Sequence, residues 1–251
     1  MRKPFIAGNW KMNTDSATAV ALAAGLVEEL KGVETVDVAV CPPFVYLQSV
    51  AAALSASNIA LGSQNVYFEE QGAFTGETSC GMLKDTSCTY AIIGHSERRH
   101  VIGETDAMIN KKILAAISSG LLPIFCVGEL LEDRQGGTTN EVVASQIKNG
   151  LEGIGGESVQ AVTVAYEPVW AIGTGLTATP QQAQEVHAMI RGLLAELYGN
   201  ETAQSIRIQY GGSAKPGNTA ELMEQPDVDG LLVGGAALKV ENFAAMVKTI
   251  A

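Results

Sequence analysis

The stretch Val162–Pro180 reads VTVAYEPVWAIGTGLTATP. Its opening residues, Val162–Ala165, are apolar and largely β-branched, the composition of a strand covered on both faces. A tyrosine, Glu167 and a proline follow, then a run of small and apolar residues that contains Gly173 and Gly175. The segment Thr179-Pro180-Gln181-Gln182 is a T-x-x-Q capping box with proline at the first helical position. Beyond it Ala183, Val186, Ile190, Leu193 and Leu197 recur at helical spacing, and Gly199-Asn200 ends the helix. The stretch is therefore a strand, a loop and a helix in succession. Packing does not require a carboxylate at the end of an apolar strand, so Glu167 calls for a functional explanation.

The same unit repeats along the chain. Strand-like runs occur at Phe5–Ala7, Val36–Val40, Ile59–Ser63, Tyr90–Gly94, Pro123–Val127, Val162–Ala165, Ile206–Gln209 and Gly230–Val233. Their spacing is roughly the ~30 residues of a βαβ unit. Eight such units in 251 residues match a (β/α)8 barrel. A doubly wound open sheet is the alternative, but it would carry G-x-G-x-x-G after its first strand, where this chain has Gly8-Asn9-Trp10-Lys11. The first helix, near 17–31, is expected to turn Val20, Ala24, Val27 and Leu30 inward and to end at Gly32. No linker or composition shift divides the chain, so residues 1–251 read as one domain.

Composition narrows the function. With 47% hydrophobic and 17% charged residues, the chain can bury a sizeable core. No apolar run reaches the ~18–20 residues of a membrane span, and MRKPFIAGNWKMN has no signal-peptide pattern. The cysteines Cys41, Cys80, Cys88 and Cys126 are scattered, which points to neither a disulfide framework nor a zinc site and favours a reducing cytoplasm. A net charge of −11 argues against nucleic acid as a partner, and the doublets Arg98-Arg99 and Lys111-Lys112 read as solvated surface. An anionic ligand would need local features to overcome the global field.

In a barrel of this kind the strand C-termini build the site. The polar residues there are Asn9 and Lys11 after strand 1, His95-Ser96-Glu97 after strand 4, Cys126 and Glu129 near the end of strand 5, and Glu167 after strand 6. Tyr210-Gly211-Gly212-Ser213 and Gly234-Gly235 end strands 7 and 8. Cys126 reads as a buried filler, Glu97 as a supporting ion-pair member, and His100 and His187 as surface. Paired glycines before a helical turn expose backbone N–H groups to an anion, and loops after strands 7 and 8 often hold phosphate. A carboxylate, an imidazole and an ammonium beside that cradle suit proton abstraction next to a carbonyl without metal or organic cofactor. Lys11 would stabilise negative charge developing on oxygen. A Schiff-base aldolase, which needs a lysine at an inner strand end, and a non-enzymatic barrel stay open on these residues alone.

Five segments together resemble the triosephosphate isomerase family: Asn9–Asn13, Gly94–Arg99, Ala165–Trp170, Tyr210–Ser213 and Leu232–Gly235. The resemblance runs through the whole chain in order. It implies interconversion of dihydroxyacetone phosphate and D-glyceraldehyde 3-phosphate through an enediol(ate). Glu167 would be the base and His95 the electrophile, a neutral imidazole at a helix N-terminus opened by Ser96; this family is itself a standard illustration of that tuning. Asn9 and Lys11 would contact substrate, with Glu97 supporting Lys11. Gly173, Ser213, Gly234 and Gly235 would hold the phosphate, and Ile172 and Leu232 would clamp the base and raise its basicity in a closed state. Ala171–Gly175 would be the tip of a closing loop. The resemblance further implies a homodimer through the loop 65–79, with Thr75 bracing Asn9 and Lys11 of the partner. Leu176 and Ala237 depart from the lysine and serine of many relatives.

Overall fold

Parallel strands that are covered on both faces must bury every side chain, and the observed strands do so almost without exception. In the computed structural model, which describes residues 2–172 and 177–251, the strands are β1 (Phe5–Asn9), β2 (Asp37–Cys41), β3 (Ile59–Ser63), β4 (Tyr90–Ile93), β5 (Leu122–Val127), β6 (Thr163–Tyr166), β7 (Ile208–Tyr210) and β8 (Gly230–Val233). They pair in sequence order, all parallel, and β1 closes on β8 with Phe5 opposite Gly230. The expected (β/α)8 barrel is therefore present, each strand lying within a few residues of the run that signalled it.

Closure divides the core in two. Side chains of alternate residues, among them Phe5, Ala7, Ile92, Ile124, Cys126, Ala165 and Leu232, fill the barrel interior. The other face of each strand packs against the helices in a second, larger cluster. Inside the barrel Phe5 stacks on Tyr90 with ring centroids 4.6 Å apart. The same period of two continues upward: after Ala165 the next inward position is Glu167, after Ala7 it is Asn9, and after Leu232 it is Gly234.

The helix Pro180–Tyr198 has the anticipated capping box, with Thr179 Oγ1 accepting from Gln182 N at 3.1 Å and Gln182 Oε1 accepting from Thr179 N at 2.9 Å. Ala183, Val186, Ile190 and Leu193 are buried, but Leu197 is not. The first helix, Ser16–Glu29, is turned by one residue from the expected face. Ala19, Leu22, Ala23 and Leu26 point inward, while Val20 and Ala24 are exposed; of the expected face only Leu30 is buried, with Val27 partly so. Its alanine-rich sequence is apolar nearly all round, so periodicity could not set the phase. Burial of its larger side chains, Leu22 and Leu26, in the core does, and Asp15, which accepts from Thr18 N at 2.8 Å, caps the start.

Three further expectations are overturned by packing. Lys112 is fully buried; it donates to Asn65 Oδ1 at 2.8 Å and pairs with Glu104, which anchors the root of the 65–79 loop. The neck of that loop is closed by Tyr67 N donating to Thr78 O at 2.8 Å. Arg99 is largely buried rather than solvated, and donates to Gly94 O at 2.8 Å and Cys126 O at 3.1 Å. His187, read as surface, is fully buried with its ring edge-on to Tyr166 at 5.8 Å; His100 is exposed as expected.

Nδ1 of His187 lies 3.0 Å from Asp227 O, while Nε2 has no hydrogen-bond partner among the described residues. Burial holds this imidazole down at about 4, from an ordinary 6.5. Below 6.5 the unfolded ring takes up a proton that the folded ring refuses, so stability falls as the pH drops from 6.5 toward about 4. His187→Gln keeps an N–H for Asp227 and removes the titration. Urea unfolding at pH 7 and pH 4.5 should show the variant losing less stability than the parent over that interval, by about 2 kcal/mol.

Candidate active site

At the C-terminal mouth of the barrel, residues from five strand ends converge on an open cleft of about 430 Å³, lined by Asn9, Lys11, His95, Ile172, Ser213 and Gly234 among others. Asn9 ends β1 and is 5% exposed. Its Oδ1 accepts from Lys11 N at 2.9 Å. That bond helps hold Lys11 at φ 52°, a left-handed conformation that a side-chain-bearing residue rarely adopts. Gln64 completes the support by donating to Lys11 O at 2.7 Å and Cys41 O at 2.9 Å. Lys11 Nζ meets Glu97 Oε1 at 2.5 Å. Glu97 is half exposed, so this pair orients the ammonium more than it stabilises the fold.

His95 follows β4 through Gly94, whose φ of 73° turns the chain into a helical segment beginning at Ser96. Glu97 N donates to His95 Nδ1 at 3.3 Å, which leaves Nδ1 as the acceptor and puts the ring proton on Nε2. That proton points at Glu167 Oε1, 3.0 Å away. The helix opening at Ser96 thus supplies the N–H that sets the tautomer.

Glu167 is 1% exposed and does not sit out in the cleft. Ser96 N donates to its Oε2 at 2.9 Å and Ser96 Oγ to its Oε1 at 3.2 Å. Burial pushes this carboxyl up, but the facing His95 ring, the Ser96 N–H and Lys11 outweigh burial, so it lies below the usual carboxylate range. Burial likewise pushes His95 down, and the Glu167 carboxylate more than offsets it, so the ring lies above the ordinary imidazole range. In this arrangement Glu167 is restrained. The raised basicity anticipated for a closed state would require that Glu167 leave Ser96.

The two glycine pairs have different jobs. A Cβ on Gly211 would lie 2.9 Å from Glu167 Cγ, and one on Gly212 would lie 2.3 Å from the Tyr210 hydroxyl and 2.8 Å from Pro168 Cγ. Gly211 N is already used, donating to Tyr166 O at 2.7 Å. This pair makes room for the carboxylate and for the chain that follows it. Gly235, by contrast, faces open space, and Gly234 faces Lys11 alone, with Gly235 opening a short 3-10 turn to Leu238. Lys215, also on the cleft, adds a cation near Ser213 that sequence reasoning did not single out.

The supporting residues are placed as follows. Leu232 is 3% exposed on β8 and lines the cleft, Cys126 is fully buried inside the barrel, and Tyr210 ends β7. Glu129, also fully buried, accepts from Trp170 Nε1 at 2.8 Å and from the Tyr166 hydroxyl at 3.1 Å, which ties the start of the following loop to β5. Ala237 is buried under the β8 turn. Thr75 is exposed on the 65–79 loop. Gly173 and Leu176 lie outside the described residues. Among the described residues no group of three His, Cys, Asp or Glu side chains is placed to hold a metal ion.

A closed parallel barrel with a carboxylate, an Nε2-protonated imidazole and an ammonium at one mouth is an acid–base enzyme of the (β/α)8 class. The family model for triosephosphate isomerase matches residues 4–250. The triosephosphate isomerase of Carboxydothermus hydrogenoformans is 59% identical over 248 residues, covering 99% of each chain. That of Moorella thermoacetica is 56% identical over 98% of each, and that of Rhodopirellula baltica 51% identical over 98% of this chain and 97% of its own. The chain belongs to the triosephosphate isomerase family.

Because His95 is a principal influence holding the Glu167 carboxyl down, His95→Gln should raise the Glu167 pKa. A ¹³C-carboxyl titration of variant and parent measures this, and an unmoved titration would show that Ser96 and Lys11 set the carboxylate without His95.

Proposed function

We propose that this protein interconverts dihydroxyacetone phosphate and D-glyceraldehyde 3-phosphate, as a glycolytic and gluconeogenic isomerase. The observation that carries the reading is the 3.0 Å contact of Glu167 with the Nε2–H of His95 beside the Lys11-lined cleft. The phosphate would be held by backbone N–H groups of Ser213, Gly234 and Gly235, with Gly173 a further candidate. Such capture suits a chain of net charge −11, because it needs no basic cluster.

A substrate carbonyl placed at His95 Nε2 would take over the hydrogen bond now made to Glu167. The carboxylate, released from the imidazole, would reach the carbon beside the carbonyl and take its proton. The C–H electron pair becomes the carbon–carbon double bond, and the carbonyl pair moves onto oxygen. His95 gives its Nε2 proton to that oxygen and regains one from the neighbouring hydroxyl, while Lys11 and Asn9 steady the charge. Glu167 then returns its proton to the adjacent carbon, and the carbonyl re-forms one position along. Ile172 and Leu232 would exclude water from the carboxylate and restore its basicity once Ser96 is left. All the steps use groups of this chain, with no organic cofactor.

Residues 1–251 act as one domain in this reading, and the working form is a homodimer through the loop 65–79. Large apolar side chains stand exposed in the segments that follow β1 to β4: Met12 at 95%, Val45 at 81%, Val101 at 77%, Ile102 at 64% and Met82 at 55%, with Phe74 in the 65–79 loop. Apolar exposure of this extent beside one loop supports a protein partner, here a second copy, with Thr75 reaching the partner's site. No described helix is long and apolar enough to cross a membrane. The four free cysteines, all buried, favour a reducing cytoplasm.

In a coupled assay with triose phosphates, Glu167→Gln should lower kcat by about 10³- to 10⁴-fold. Retention of parental activity would sink the assignment of the base. Light scattering should report twice the 26.2 kDa chain mass, and Thr75→Arg should shift the protein to monomer with loss of activity. A fully active monomer would refute the shared site.

A further inference from the structure

We propose that Gln146 is a positioning residue for the isomerisation, its side-chain amide standing in for a missing neighbour strand at Gly128 and thereby fixing the peptide of Glu167. The proposal rests on the reading of Glu167 as the base.

The need for such a group follows from where the strands stop. Pairing of β4 with β5 ends at Ile93 opposite Phe125. The β5–β6 ladder runs on: Glu167 N donates to Val127 O at 2.8 Å, and Val169 N to Glu129 O at 3.1 Å. Along a strand the backbone groups of successive residues face opposite neighbours. Val127 and Glu129 therefore serve β6, and Gly128 between them presents its N–H and C=O to the side on which β4 has ended. At Cys126 the Arg99 guanidinium takes the orphaned carbonyl, at 3.1 Å. At Gly128 both groups are taken by one residue. Gln146 Oε1 accepts from Gly128 N at 2.7 Å, and Gln146 Nε2 donates to Gly128 O at 3.0 Å. The two bonds reproduce what an adjacent strand would have made, from a side chain on the helix Thr139–Gly150 that is 9% exposed.

What Gly128 leans on gives this clamp its consequence. A Cβ there would lie 1.7 Å from Glu167 O and 2.7 Å from Glu167 C, so only glycine fits and its Cα packs directly on the carbonyl of the base. The next residue, Glu129, holds Tyr166 and Trp170, which flank Glu167 and Pro168 in sequence. Release of Gly128 would free the backbone surface against which Glu167 is set, and the carboxylate with it. Misplacement of a reacting group by about 1 Å costs on the order of a hundredfold in rate. Of the residues read as the phosphate cradle, Ser213, Gly234 and Gly235 come from the ends of β7 and β8 and Gly173 alone follows Glu167, so substrate affinity should be largely spared.

Gln146→Met keeps the length of the side chain and removes both bonds. We expect kcat to fall about ten- to a hundredfold in both directions, with KM for either triose phosphate within about twofold of the parent. The ¹³C-carboxyl titration of Glu167 should shift upward as its bonds to Ser96 loosen, and Trp170 fluorescence should change without substrate. Gln146→Glu, which keeps an acceptor for Gly128 N but not a donor for Gly128 O, should be intermediate. A Gln146→Met enzyme with parental kcat and an unmoved Glu167 titration, differing only by a lower melting temperature, would overturn the proposal. Loss of the fold in both variants would also overturn it, by making Gln146 a requirement for folding instead. Failure of the base assignment is separate, because Glu167→Gln tests that while the Glu167 titration tests the clamp.

Discussion

In a closed parallel barrel each strand side chain points either inward or out to the helices, and a strand that continues past its last neighbour carries that alternation with it. β6 does this. Thr163 and Ala165 face the barrel axis, and the next inward position is Glu167. Its backbone is still bonded to Val127 although the strand has formally ended. The β5–β6 ladder is thus the frame for Glu167, for the Trp170 bond to Glu129, and for the contact of Gly128 with the Glu167 carbonyl. Asn9 and Gly234 reach the same mouth by the same alternation on β1 and β8.

The second organising feature is a buried carboxylate held by three donors, Ser96 N, Ser96 Oγ and His95 Nε2. A buried carboxylate without partners would be protonated. Here the donors keep it charged at the cost of availability, and its imidazole neighbour is kept ready by the Glu97 N–H on Nδ1. The resting site is thus a carboxylate and an imidazole held against each other at 3.0 Å. In this acidic protein the positive side chains at the mouth, Lys11 and Lys215, are local to the cleft.

Much of the site was legible because residue types out of place in apolar strands are conspicuous. Glu167, His95 and Lys11 stand where packing does not call for them, and the glycine pairs mark close approach. The meaning of one pair was not legible: Gly211 and Gly212 make room for Glu167 and Pro168, which is visible only once β6 and β7 are side by side. Gln64 and Gln146 gave no signal at all. An amide side chain has no periodicity and no charge, and their partners lie 53 and 18 residues away. His187 and Lys112 looked solvated because polarity predicts exposure on average, whereas Tyr166, Asp227, Asn65 and Glu104 provide burial with partners.

The sequence by itself determined the eight strand–helix units, the residues at the strand ends and, through five motifs, the family. Those are local properties: strand composition, capping boxes and short spacings are written in neighbouring residues. The tertiary structure alone decided the phase of the first helix, the restraint of Glu167 by Ser96, and the amide that completes the ladder at Gly128. Each of these depends on which groups face one another across the closed barrel. Hydrogen bonds and burial act over a few ångströms, and only closure sets those distances for residues far apart in the chain.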